Sequence, residues 1–172
     1  MQPFVGFSIP AFPQIILGPL SGAIFIYGLF WFYKALGQFE ASRVVPVILG
    51  ILPLFTFGLV YIFSKGKESI SFYDFLAFIL LMSGSALIAY KKTKGISLES
   101  FKISAIAAFF LALSFVLTKY VYLSQSFWSG YIWIRIGGFL MALCFFIFSR
   151  EVRKETFKKR EYFPKKTAVI FL

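Results

Sequence analysis

The sequence predicts an all-α fold, a polytopic transmembrane helical bundle of about five spanning helices. Three observations predict it. The chain is 59% hydrophobic with a mean hydropathy of +0.83, whereas ordinary soluble domains are about 45–50% apolar. Only 15% of its 172 residues are charged, against about 25% in soluble domains, so a water-facing surface would lack the charge to cover it. The apolar residues also fall into five long runs separated by short polar links. Each run approaches the roughly 20 residues that a helix rising about 1.5 Å per residue needs to cross a hydrocarbon core of about 30 Å.

Residues 1–14 carry no basic residue and three prolines, at positions 3, 10 and 13. They read as an amphiphilic lead-in, because a signal peptide opens on a positive segment. The first span is expected over 15–36, with Trp31, Tyr33 and Lys34 near its end as interfacial anchors. The second, 43–63, follows a short link, which predicts an antiparallel hairpin with the first. Pro46 is expected in its first turn. Pro53 lies mid-span, where it removes a backbone bond and permits a bend if neighbouring protein re-satisfies the freed carbonyl. The third span is expected over 72–90, with Ser71 or Asp74 as its cap. The fourth and fifth are expected over 101–122 and 130–149. The tail, 150–172, is strongly basic up to Lys166 and ends in six apolar residues that resemble the opening of a further span. Its charges suit an interfacial helix with Phe157 and Tyr162 toward lipid.

Loop charge is lopsided. The links after the first and third spans, with the tail, form one side (side A). With their flanks they carry Lys34, Arg43, Lys91, Lys92, Lys94, Lys102 and eight tail residues, fourteen cations altogether. The opposite side B has Lys65, Lys67 and Lys119. Cytoplasmic loops are enriched in Lys and Arg, so side A is expected in the cytoplasm.

Composition also excludes chemistries. There is no histidine and a single cysteine, Cys144. That removes histidine-containing zinc sites, Cys–His nucleophiles and an intrachain disulfide. Cys144, in an apolar run, reads as a packing residue. The spans hold no paired carboxylates, so no enzyme activity, metal or cofactor is expected. Arg135 stands inside the fifth span, close enough to its start to snorkel. Small residues mark where helices can approach closely: Gly18 and Gly22, the Ser83–Gly84–Ser85 cluster, and Gly137 and Gly138.

The order of these motifs resembles a known family. Ala35 and Leu36 end one span, Ala41–Ser42–Arg43 makes a small turn, and Pro53–Leu54–Phe55 follows in the next helix. Gly66–Lys67–Glu68, Gly84, Lys119 and the Arg135-x-Gly137 pair come after in sequence. Together they resemble the EamA family of the drug/metabolite transporter superfamily over most of Gln14–Ser149. The resemblance assigns 15–90 to the end of one five-helix repeat and 101–149 to the start of the next. It implies a segment of a ten-helix small-solute transporter, with Lys119 and Arg135 beside the substrate path. It also implies side A facing outward, opposite to the charge bias. The partners expected are the lipid bilayer, a small solute, and a second copy or a complementary repeat, but no nucleic acid. The expected location is the cell membrane of a prokaryote. The alternative reading is a small structural or interaction membrane protein whose basic tail binds lipid.

Overall fold

A computed structural model of the chain describes residues 12–65, 72–92 and 98–149, with side chains described except at 12–14, 43, 74, 75 and 85–92. It is an all-α bundle of five helices: α1 (Phe12–Gln38), α2 (Ala41–Phe63), α3 (Phe72–Lys92), α4 (Leu98–Ser124) and α5 (Phe127–Phe148). Most of the lead-in, both proposed caps of α3, the side chain of Arg43 and the basic tail lie outside the described residues or side chains.

The helices outrun the apolar runs. α1 and α4 each have 27 residues, about 40 Å of helix, and so extend several ångströms past a hydrocarbon core at each end. Hydropathy falls where headgroups begin, but the backbone stays helical because its own hydrogen bonds remain the best available there. The links shrink accordingly, to Phe39–Glu40 between α1 and α2 and Gln125–Ser126 between α4 and α5. Since α2 starts at Ala41, Pro46 sits in its second turn rather than its first. α2 remains one helix through Pro53, where the Thr56 hydroxyl donates to the Leu52 carbonyl at 2.9 Å. Its end is closed by Ser64, whose amide bonds to the Val60 carbonyl, and by Lys65 in the left-handed region at φ 52°.

The lateral order differs from the hairpin expectation. α1 and α2 barely touch despite their two-residue link, and α4 lies between them. α4 and α5 likewise meet only near their link. Read across the bundle, the order is α5, α1, α4, α2, α3. The physical reason is on α4, where Ser100, Ser104, Ala108 and Ala112 recur every fourth residue and all are buried. Such a strip lets backbones approach closely, which is what drives helix association in lipid. Around it Ala35, Val44, Ile48, Ala107, Ala108 and Leu111 form the core, with Ile51, Leu52 and Phe55 of α2 packed against it.

Contact pairs fix the directions. Phe25 meets Phe115, and Gly28 meets Leu111, so α1 and α4 are antiparallel. Phe55 meets Phe109, and Phe63 meets Tyr120, so α2 and α4 are parallel. Gly18 meets Trp133, and Phe30 meets Phe145, so α1 and α5 are parallel. Two parallel helices, α2 and α4, demand that the chain recross the bundle between them. α3 is the element that does so, and its 21 residues make about 31 Å of helix. Among the described residues α1, α2, α4 and α5 are long and apolar enough to cross a membrane. The α4 span is the central one, 44% buried within the bundle against 6% for α5. On these grounds the chain is an integral membrane protein.

Candidate functional site

α1 is the hub, and two different chemistries hold its two faces. Toward α5 it offers Gly18, Pro19 and Gly22, and α5 replies with Gly137 and Gly138. A side chain added at Gly22 would run into the Ile134 carbonyl and the Gly138 amide. One added at Gly137 would run into the backbone of Pro19. At Gly18 the obstacle is Trp133 Cβ, 2.7 Å away. These glycines let two backbones touch, so the seam is made of peptide groups rather than side chains. Pro53 and Gly84 belong elsewhere. Pro53 is half-buried in the α2 turn leading from Ile51 to Phe55. Gly84 has nothing within 4 Å of the place its Cβ would take. It is therefore not a close-approach position among the described residues, where α3 touches only α2 and does so through pairs such as Phe57–Phe78. Its neighbour Ser83 bonds within α3, to the Leu80 carbonyl at 3.0 Å.

Toward α4 the face is polar and sealed. The hydroxyls of Ser21 and Thr118 lie 2.7 Å apart. Ser21 Oγ also reaches the Ser114 carbonyl at 3.2 Å, and Ser114 Oγ donates to the Ser21 carbonyl at 3.1 Å. Ser21 and Ser114 are buried. Hydroxyls here satisfy one another across two helices, an interaction worth about 0.6 kcal/mol on average and up to about 1.7 in membrane proteins. Ser21→Val is expected to weaken the bundle by about 1–2 kcal/mol, since it also strands the Thr118 hydroxyl. In a double-mutant cycle by unfolding in mixed micelles, Ser21→Val and Thr118→Val should couple; additive losses would refute the linkage. Three further buried donors, Ser104 Oγ, Trp31 Nε1 and Trp133 Nε1, have no hydrogen-bond partner among the described residues.

The two intramembrane cations sit toward side B. Because α5 begins at Phe127 rather than at 130, Arg135 lies eight residues in, about 12 Å along the helix. It is exposed on the outer surface of α5, and its guanidinium lies 4.9 Å from the centre of the Tyr131 ring. Tyr131 is one turn nearer the helix start, the direction in which helical side chains lean, so the charge is carried back toward its own interface. Lys119 is partly buried on α4, five residues before that helix ends. The two residues thus share an end of the bundle, on helices that meet there only around their link. That meeting point is Gly130, where a Cβ would come within 3.0 Å of Val121 and 3.2 Å of Tyr122. Cys144 is exposed on α5, not packed, because α5 contacts the bundle mainly through α1.

Sequence reasoning missed Gly28, Gly130, the Ser21–Ser114–Thr118 knot and the small-residue strip of α4. The last had a readable signal in its four-residue spacing. Among the described residues no group of three or more His, Cys, Asp or Glu gathers as a metal site would need. No protein-family model, curated protein or solved structure matches the chain. Its class therefore rests on the helices themselves.

Proposed function

We propose that the chain is a transporter-type membrane segment for small solutes, similar to EamA proteins, in the cell membrane of a prokaryote. The observation carrying this reading is the ordered motif series from Ala35 to Gly137, spread over all five helices. Two features agree with it. α1 is held on one face by touching backbones and on the other by a hydroxyl knot, so α5 and the α4–α2–α3 group are separately jointed to it. Lys119 and Arg135 lie toward one end, where an anionic group on a solute would find positive charge. Arg135 faces outward from these five helices, so a substrate path at this residue requires a further surface opposite α5, supplied by a second copy or a complementary repeat. Alternating access in repeat transporters depends on one such unit moving against another.

Reconstituted vesicles test the proposal. The 172-residue chain alone is expected to show no saturable uptake across a panel of amines, amino acids and nucleosides. When the chain is co-reconstituted with a complementary repeat, uptake should appear. Arg135→Leu and Lys119→Gln should each lower it about tenfold, the scale of losing one charge-assisted contact, at unchanged membrane abundance. Full uptake by both variants would sink the assignment of the path.

The alternative is a structural membrane protein that anchors to anionic lipid through its basic tail. It is favoured by one observation: α5 ends at the same end of the bundle as α1, so the tail begins among the side A cations. Uptake by no assembly, together with tail-dependent binding to anionic vesicles, would select it.

A further inference from the structure

Lys34 and Arg135 each lie against an aromatic ring of their own helix, but they lean in opposite senses relative to the membrane. Arg135 leans toward its nearest interface. Lys34 is four residues from the end of α1, about 6 Å, and its Nζ lies 4.8 Å from the centre of the Trp31 ring, one turn toward the bilayer interior. α1 exceeds a hydrocarbon core of about 30 Å by about 5 Å at each end if centred. Lys34 then stands at the edge of the hydrocarbon core, within a side chain's length of lipid glycerol and phosphate.

From Trp31 inward a continuous ring surface crosses three helices. Trp31 meets Tyr27 edge-on at 6.4 Å. Tyr27 meets Phe110 of α4 at 4.7 Å and lies parallel to Phe145 of α5 at 6.1 Å. Phe145 stacks on Phe30 at 4.9 Å. All five rings are only part-buried, so the bundle leaves their outer surfaces free. Lys34 to Tyr27 spans about 10 Å along α1. The series cation, indole, then rings runs in the direction and sequence of a phospholipid: charged head at the boundary, acyl chain inward.

We propose that the Trp31–Lys34 turn of α1 binds the headgroup of an anionic phospholipid of the side A leaflet, whose acyl chain lies on Tyr27, Phe30, Phe110 and Phe145. Charge selects the headgroup. Lys34 is exposed, Lys102 is exposed at the same end of the bundle on α4, and side A carries fourteen of the chain's 18 basic residues. A zwitterionic lipid would bring a second cation to a region already rich in them. The inference does not depend on the transport reading.

The test uses the full chain with Trp31 as its only tryptophan (Trp128→Phe, Trp133→Phe), reconstituted in phosphatidylcholine vesicles. Chain-brominated phosphatidylglycerol or chain-brominated phosphatidylcholine is then titrated in as quencher. Phosphatidylglycerol should reach half-quenching at about a fivefold lower mole fraction, the effect of one cation at about 1 kcal/mol. Lys34→Gln should abolish the preference and Lys34→Arg should keep it. A companion protein with only Trp128, near side B, should show no preference. Equal quenching by the two lipids with Lys34 intact would overturn the proposal, a result that needs no variant of the site. So would a preference that survives Lys34→Gln, since the intact tail or its neighbours would then be its source.

Discussion

Gly22→Leu is expected to detach α5 from α1. A Cβ alone at this position meets the Ile134 carbonyl and the Gly138 amide, both backbone atoms. Side chains escape crowding by changing rotamer, but a helix backbone moves only as a whole. Overpacking a core costs about 1–3 kcal/mol where side chains yield, and a rigid obstacle puts this site at or above the upper end. The loss falls on one seam, because α5 has little other contact with the bundle. Gly137→Leu, against the backbone of Pro19, should do the same from the other side. Gly84→Ala is the control, with nothing within 4 Å to oppose it and a helix-propensity gain of up to about 1 kcal/mol. The measurement is a short bifunctional cross-link between Phe30→Cys and Phe145→Cys in a Cys144→Ala background. Its yield should fall at least about tenfold for Gly22→Leu, as a shift of about 1.4 kcal/mol or more requires, and stay unchanged for Gly84→Ala. Full cross-linking in Gly22→Leu would mean that the seam is looser than its glycines imply.

The second large effect is all-or-none. Single cysteines at Ser42 and Glu99 should label with an impermeant maleimide from one side of the membrane, and those at Lys65 and Ser124 from the other. Ser42 and Glu99 are near the starts of α2 and α4, which run parallel, and Lys65 and Ser124 are at their ends. The decisive pair is Lys65 and Glu99, which flank α3. Labelling of both from one side would mean that α3 does not cross, and the parallel pairing of α2 with α4 would fail with it. The same data orient the chain. If Ser42 and Glu99 face the cytoplasm, the loop charges rule; if they face outward, the chain follows the orientation its resemblance implies.

Four of the five expected spans were readable in the sequence because water and lipid sort residues strongly and long, mostly apolar runs have few other uses; among the described residues α3, the third, falls short of that length and apolarity. Their ends were read short, since α1 keeps its helix through Gln38 and α4 starts at Leu98, both in polar sequence. Neighbours were harder. In water, a helix advertises its buried face by being apolar only there. In lipid both faces are apolar, and the buried face of α4 differs from its outer face by size, not polarity. Ser100, Ser104, Ala108 and Ala112 mark that face, but nothing in them names α1 and α2 as partners. The short link after Gln38 pointed to a hairpin that α4 displaces. Gly22 and Gly137 were legible as close-approach residues, while Gly84, identical in kind, meets nothing among the described residues. For Arg135 the sequence supplied depth but not direction, which the side chain's lean toward Tyr131 decides.

The insertion of α4 between α1 and α2 has a consequence for synthesis. The amino-terminal half emerges first, and of α1, α2 and α3 only the last two have each other as substantial partners. Among these five helices, α1 enters the membrane with Ser21 and its glycine face uncovered by α2 or α3, and both final companions begin about 60 residues or more beyond its end. It must wait beside the insertion machinery, or in the lipid, until α4 and then α5 arrive, and α2 must leave room for α4 to slot in. Assembly is therefore ordered by lateral capture of late helices rather than by pairing of successive ones.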